Sequence, residues 1–307
     1  MKGLRKLFCL ALTMAIGFTM VNEAHAATKK VSMKLSSGAT YYGEVKNGKP
    51  HGKGTARWGK EKTYSGDWVT GKRSGQGKYV YYTHSKEDLS EDMIYEQATS
   101  LTYTGSWEND KYHGEGKEFY QSIIKESLYE NGSYRETFSD PINRITEGYF
   151  SNGKFKSGYS ATTSREFNNL SFVSDKVEIQ LNDFGHGSKI KELGTYSIPD
   201  VEYKIKKNNV INVVGISQSY TYKGTTQGDK FTGVKYVKDK FNWDTRMDDF
   251  SEIRVVKDLE TSSKNIDYNN FEKKSREMLK SILKSIDPHI PRLEKISKEL
   301  LQLRAII

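Results

Sequence analysis

Cysteine, proline and long apolar runs are what this chain has least of. Its 307 residues hold one cysteine and five prolines, and only 35% of them are hydrophobic. The lone Cys9 lies near the N-terminus, so no disulfide framework exists, and loss of the leader described below leaves no thiol nucleophile or thiolate metal site. A mean hydropathy of −0.74 argues against a large enzyme wrapped around one thick core. The length suffices for two domains, although many all-β chains use it for one. What is abundant is glycine (26) and tyrosine (20), the mark of strands and tight turns with aromatic faces; disorder or a collagen-like chain needs another balance.

The one apolar stretch of note is residues 7–21. Lys2, Arg5 and Lys6 precede it, and Ala24-His25-Ala26 followed by Ala27 gives a small-x-small cleavage pattern. Fifteen residues fall short of the roughly 20 that cross a bilayer as a helix. Residues 1–26 are thus expected to be a signal peptide, cut between Ala26 and Ala27; the alternative is an uncleaved anchor or an interfacial helix. Cys9 sits too early in the run for lipid modification. Loss of Lys2, Arg5, Lys6 and Glu23 takes the formal charge from +9 to +7, so the mature chain stays basic. The expected address is secreted, periplasmic or cell-envelope, and no membrane span is expected after cleavage.

An internal repeat dominates the next hundred residues. Tyr41-x-Gly43-x-Val45-x-x-Gly48-Lys49-x-x-Gly52-x-Gly54 recurs 23 residues later as Tyr64-x-Gly66-x-Trp68-x-x-Gly71-Lys72-x-x-Gly75-x-Gly77. A third copy reads Tyr103-x-Gly105-x-Trp107-x-x-Asp110-Lys111-x-x-Gly114-x-Gly116. A worn fourth copy has Gly148, Phe150, Gly153, Lys154 and a displaced Gly158, and a fifth has Tyr222, Gly224, Asp229, Lys230 and Gly233. Each copy is a β-hairpin by its own chemistry. Alternation of Tyr, Gly and Trp sets them on one strand face, and Asn47-Gly48 and Asn152-Gly153 favour a two-residue turn in which both residues take positive φ. Gly-x-Gly on the return strand strips that face of side chains, so a ring from a neighbouring strand can lie over bare backbone. A lone hairpin is marginal, and stacking the copies edge to edge makes the sheet stable.

These copies resemble the MORN repeat (membrane occupation and recognition nexus), in a secreted, bacterial-type setting. The resemblance is specific over residues 39–120, partial to about 160 and faint at 220–236. It implies an elongated, twisted antiparallel sheet of successive hairpins. It further implies scaffolding, oligomerisation or lipid head-group binding rather than catalysis. Val45 departs from the aromatic of the pattern, Asp110 and Asp229 from its turn glycines, and an insertion at 83–100 separates two copies.

The expected fold is mainly β, with a further β region and a C-terminal helical pair. Its divisions are the leader 1–26, a repeat sheet over 27–160, a second β region over 161–260 and amphipathic helices over 264–307. In the second region Val177-x-Ile179-x-Leu181, Val201-x-Tyr203-x-Ile205, residues 210–216 and residues 253–256 read as strands. From Tyr268 the period shifts towards 3.6, with Phe271, Met278, Leu279, Ile282, Leu283 and Ile286 on one face; after Asp287-Pro288 a second helix sets Leu293, Ile296, Leu300, Leu303 and Ile307 at 3-4-3-4 spacing. Two heptads are too few for a convincing coiled coil. This face packs on the chain's own sheet or forms a seam with a partner or a second copy.

Motifs for chemistry are scarce. No nucleophile elbow, zinc-protease or phosphate-loop motif occurs, and no cofactor is implied. His51 and His113 occupy matching repeat positions without a recurring carboxylate beside them, so they read as turn residues and no metal site is expected; His186 likewise reads as a turn. Glu44 and Asp67 should point away from the aromatic face. Lysine, by contrast, follows the turn in every copy: Lys49, Lys72, Lys111, Lys154 and Lys230. Strands lie about 4.8 Å apart, so lysines of contiguous hairpins stand about 10 Å apart. Unscreened repulsion there is only ~0.4 kcal/mol in water, and salt reduces it further. Such a row suits an anionic polymer, lipid head groups or an acidic partner; equally, tip lysines serve solubility and guard against edge pairing. Two other readings stand beside a non-enzymatic binding protein: a carbohydrate-active enzyme with its site in 165–260, and an inhibitor of a secreted partner. Nucleic acid is disfavoured by the leader and by the lack of any matching motif.

Overall fold

The computed structural model of the chain describes residues 30–303 apart from 165–167, 183–189, 191–199, 229, 239–240, 243–246, 249–250, 258–259 and 267. The expected leader with Ala26 and Ala27, as well as His186, Asp229 and Ile307, lies outside the described residues. The first strands are β1 (Lys30–Lys34), β2 (Thr40–Lys46), β3 (Lys49–Trp58), β4 (Lys62–Val69), β5 (Lys72–Ser90), β6 (Met93–Glu108), β7 (Lys111–Glu130), β8 (Ser133–Ser151) and β9 (Lys154–Thr163). They continue as β10 (Asn168–Val173), β11 (Val177–Asn182), β12 (Asp200–Lys207), β13 (Val210–Ile216), β14 (Tyr220–Gln227) and β15 (Lys230–Lys238). A short ribbon of β16 (Phe241–Asn242) and β17 (Met247–Asp248) precedes β18 (Ser251–Lys257) and β19 (Glu260–Ile266).

Seventeen of these strands form one antiparallel sheet in which each strand pairs with the next along the chain, β15 passing directly to β18. The strands read from the alternating pattern of residues 177–181, 201–205, 210–216 and 253–256 all lie in this sheet. β9 runs across residues 160 and 161 and pairs with β10, so the sheet continues unbroken from the repeats into the second β region.

The repeat glycines set the register. Gly43, Gly54, Gly66, Gly77, Gly105, Gly116, Gly148 and Gly158 stand opposite one another in turn across β2 to β9. The insertion at 83–100 leaves this row intact. It lengthens β5 and β6 at the end away from their hairpin tips, and β7 and β8 lengthen to match. Tip turns Asn47-Gly48, Thr70-Gly71, Asn109-Asp110 and Asn152-Gly153 all have two residues at positive φ, as a two-residue primed turn requires.

Because paired residues share a face, the registers divide the sheet into two sides. One side carries the repeat aromatics Tyr41, Tyr64, Trp68, Tyr103, Trp107 and Phe150 in a single cluster. The other carries Phe119, Ile145, Ala161, Leu170, Leu181, Val201 and Ile216, and the C-terminal helix covers it. This helix is α1 (Tyr268–Ile286) and α2 (Ile290–Leu303), joined without a loop by a 3-10 turn at Asp287–His289. The helical pair is thus one helix in two pieces. Pro288 has no N–H to continue the α ladder, and the tighter turn bridges it. Leu279, Ile282, Ile286, Ile290, Leu293, Ile296 and Leu300 are buried against the sheet, so the heptad-like face is spent on the chain's own core. Lys117 pairs with Glu299 and Glu147, and Arg292 pairs with Glu147, pinning α2 to β7 and β8. Among the described residues no helix is long and apolar enough to cross a membrane.

Candidate binding face

One structural unit recurs three times on the side away from the helix. The Tyr41 ring lies over Gly54 of the adjacent strand, Tyr64 over Gly77 and Tyr103 over Gly116; a Cβ on any of these glycines would stand 2.2–2.4 Å from the nearest atom of the tyrosine side chain. Each hydroxyl donates to a backbone carbonyl three residues on: Tyr41 to Glu44 at 2.6 Å, Tyr64 to Asp67 at 2.9 Å and Tyr103 to Ser106 at 3.0 Å. Register shifts at those residues bulge the strand and turn the carbonyl towards the hydroxyl. Trp68 Nε1 donates to Gly54 O and Trp107 Nε1 to Gly77 O, at 3.1 and 3.2 Å, so each tryptophan bonds to the hairpin before its own. The rings interlock edge to face along Tyr41, Trp68, Tyr64, Trp107 and Tyr103, with centroids 5.0–5.4 Å apart. The expected repeat positions Tyr41, Gly43, Tyr64, Gly66, Trp68, Tyr103, Gly105 and Trp107 are therefore the frame of the sheet. Burial and, secondly, a nearby carboxylate push the Tyr41 hydroxyl up to about 12; burial does the same for Tyr103, also to about 12. The fifth copy differs: the Tyr222 ring covers Gly215 of the preceding strand, and its hydroxyl donates to Glu202.

Asp110, a departure from the repeat pattern, has a specific task. It takes φ 68° in the tip turn and pairs with Arg73, whose Nε donates to Asp110 Oδ1 at 3.0 Å and Nη2 to its backbone oxygen at 2.9 Å. The Arg73 guanidinium lies 4.5 Å from the Trp107 ring centroid and 5.7–5.9 Å from those of Tyr64, Tyr79 and Trp58. It stands where two clefts meet, one of about 760 Å³ between β1 and β5 and a smaller one of about 260 Å³ reaching Lys111 and Tyr112.

The lysines after the turns are brought into line. Lys49, Lys72, Lys111, Lys154 and Lys230 each open a strand at the same end of the sheet, and all are exposed. Lys49 and Lys72 also line the larger cleft. Backbone bonds tie each tip to the preceding hairpin: Gly71 N to Pro50 O at 2.8 Å, Asp110 N to Arg73 O at 3.0 Å and Gly153 N to Tyr112 O at 2.9 Å. Following the chain through β9 to β12 shows two more exposed lysines at this end, Lys176 before β11 and Lys207 closing β12. The Lys206 amide donates to Lys176 O at 2.7 Å, the same kind of tie. The repeat frame missed both; the signal was a basic residue beside the turn dipeptides Ser174-Asp175 and Asn208-Asn209. From β3 to β15 the row spans twelve strand spacings, roughly 60 Å.

Other candidates fall elsewhere. Asp67 points to the opposite side, in an ion pair with Lys53 at 2.5 Å and accepting the Gln76 amide at 2.9 Å. His113 faces Glu108 at 3.4 Å. In the second β region, Glu178 is held by Lys206 at 2.7 Å and Lys204 at 3.3 Å, and Lys204 also pairs with Glu202. Burial raises the Glu178 pKa, but the two lysines outweigh it, and the net shift is downward.

A family model for the MORN repeat matches residues 41–61, 64–86 and 103–122, the three stronger copies. No curated protein matches the chain. Residues 41–122 hold three MORN repeats, and the role such repeats support is binding or scaffolding.

Proposed function

We propose that the exported, mature chain is a non-enzymatic binding or scaffold protein of the cell envelope, and that its lysine edge docks an anionic polymer or lipid head groups. The observation that carries this is the alignment of Lys49, Lys72, Lys111, Lys154, Lys176, Lys207 and Lys230 along one end of a single sheet. Spacing near 10 Å between contiguous tips keeps their mutual repulsion small while their fields add towards a polyanion.

The test is a salt titration of binding to phosphatidylglycerol vesicles and to a soluble phosphate polymer, with the mature protein and the triple variant K49Q/K72Q/K111Q. Each lysine near an anionic surface contributes about 1 kcal/mol, so the triple change should lower affinity roughly a hundredfold at low salt and less at physiological salt. Folding should change by less than about 0.5 kcal/mol per site. Equal binding by both proteins at every salt concentration, or binding by neither, ends the proposal.

A further inference from the structure

We infer that the cleft beside Arg73 is a subsite for a carboxylate-bearing sugar ring of an acidic glycan, resting on the anion-binding reading above. The geometry comes from three features that the lysine row does not explain. Arginine has five N–H donors in a planar fork. Two of those of Arg73 go to Asp110, and among the described residues the remaining three have no partner. Asp110 and the rings around the guanidinium fix its plane, so its free edge is pre-set to meet a planar two-oxygen anion. A lysine tip offers a mobile point charge instead.

The walls decide which anion. Trp58 and Tyr79 are half-buried, and both line the cleft of about 760 Å³. The Trp58 ring is steadied by its Nε1 donating to Ser37 Oγ at 3.2 Å. Pyranose rings present a face of C–H groups that packs on the electron-rich face of such rings, and the volume falls in the range of small-ligand sites. A lipid head group needs no aromatic wall. Lys62 on one flank and Lys49 and Lys72 on the other leave the cleft positive despite Asp110. The smaller cleft, sharing Arg73, Tyr79 and Asp110, continues the path along the aromatic side towards Lys111. The arrangement therefore accommodates a chain of rings with a carboxylate at Arg73, running beneath the lysine edge.

The test uses the mature full-length chain and two probes of the same shape: galacturonate oligomers and their methyl esters, which lack the charge. Calorimetry and tryptophan fluorescence should show the acid form binding at least tenfold more tightly than the ester. R73K keeps the charge but loses the fork, and should weaken acid binding about tenfold while leaving ester binding unchanged. W58A leaves the Arg73–Asp110 pair intact and should weaken both probes; it decides the matter should R73K fail to fold. Equal binding of acid and ester, or wild-type binding by both variants, overturns the subsite. Vesicle binding that is lost in K49Q/K72Q/K111Q but untouched in R73K and W58A, with no oligomer binding, also overturns it and leaves the lysine-edge reading standing.

Discussion

Replacing Gly77 by alanine should destabilise the chain, although the same change in an ordinary strand does the opposite. Alanine at a compatible backbone position stabilises by about 0.4–1 kcal/mol through the unfolded state. At Gly77 the new methyl would stand 2.4 Å from both Cε2 and Oη of Tyr64, where carbon atoms normally rest about 3.5–4.0 Å apart. The ring must retreat by about 1 Å, and it has nowhere to go. It is fully buried, lies edge to face with Trp68 and Trp107 at 5.2 and 5.0 Å, and is anchored by its hydroxyl to Asp67 O. Overpacking of this kind costs about 1–3 kcal/mol, and a broken hydroxyl bond adds about 1 kcal/mol. Against the small entropic gain, the net loss should be about 2 kcal/mol. Urea denaturation of the mature chain measures it, and the decisive comparison repeats G77A in a Tyr64→Ala background. With the ring gone the methyl has space, so G77A should become neutral or slightly stabilising. An equal cost in both backgrounds would refute the ring-over-glycine account.

Trp68→Ala should cost on the order of 3 kcal/mol, since Trp68 is 2% exposed and ties two hairpins together; an unchanged denaturation midpoint would make it a ligand platform instead. Tyrosinate absorbance should show Tyr41 and Tyr103 ionising near pH 12, and stability should fall as pH rises from 10 to about 12, because the unfolded chain releases these protons first. Tyrosines that all ionise near 10 in the folded protein would contradict the burial. N-terminal sequencing of exported protein should begin at Ala27; a protein still starting at Met1 and retained in the cytoplasm would remove the envelope from its function.

The hairpins were legible because glycine and aromatic spacing is a backbone constraint written in residue type. Tyr-x-Gly-x-Trp with Gly-x-Gly eleven residues on leaves little choice of register, and the helix face announced itself by period in the same way. Arg73 was not legible. It holds no repeat position, and its partner Asp110 read as a worn glycine until the turn brought the two together from 37 residues apart. Lys176 and Lys207 escaped for a related reason. Their places on the edge follow from the direction in which β9 to β12 run, which only the pairing of whole strands fixes. Residues 83–100 read as an interruption, whereas added length at the far end of a hairpin costs the register nothing.

Pairing each strand only with its chain neighbours has a consequence for how the molecule is built. Every hairpin finds its partner within a few tens of residues, so loop-closure entropy stays low and the contact order of the sheet is small. A chain emerging N-terminus first can add hairpins one by one onto an edge already formed, without waiting for distant sequence. The C-terminal helix is the exception, since Lys117 meets Glu299 only after 182 further residues have appeared. The helix can close over β7 to β15 only once residues 268–303 have been made, and until then one apolar side of the sheet has nothing from this helix to cover it.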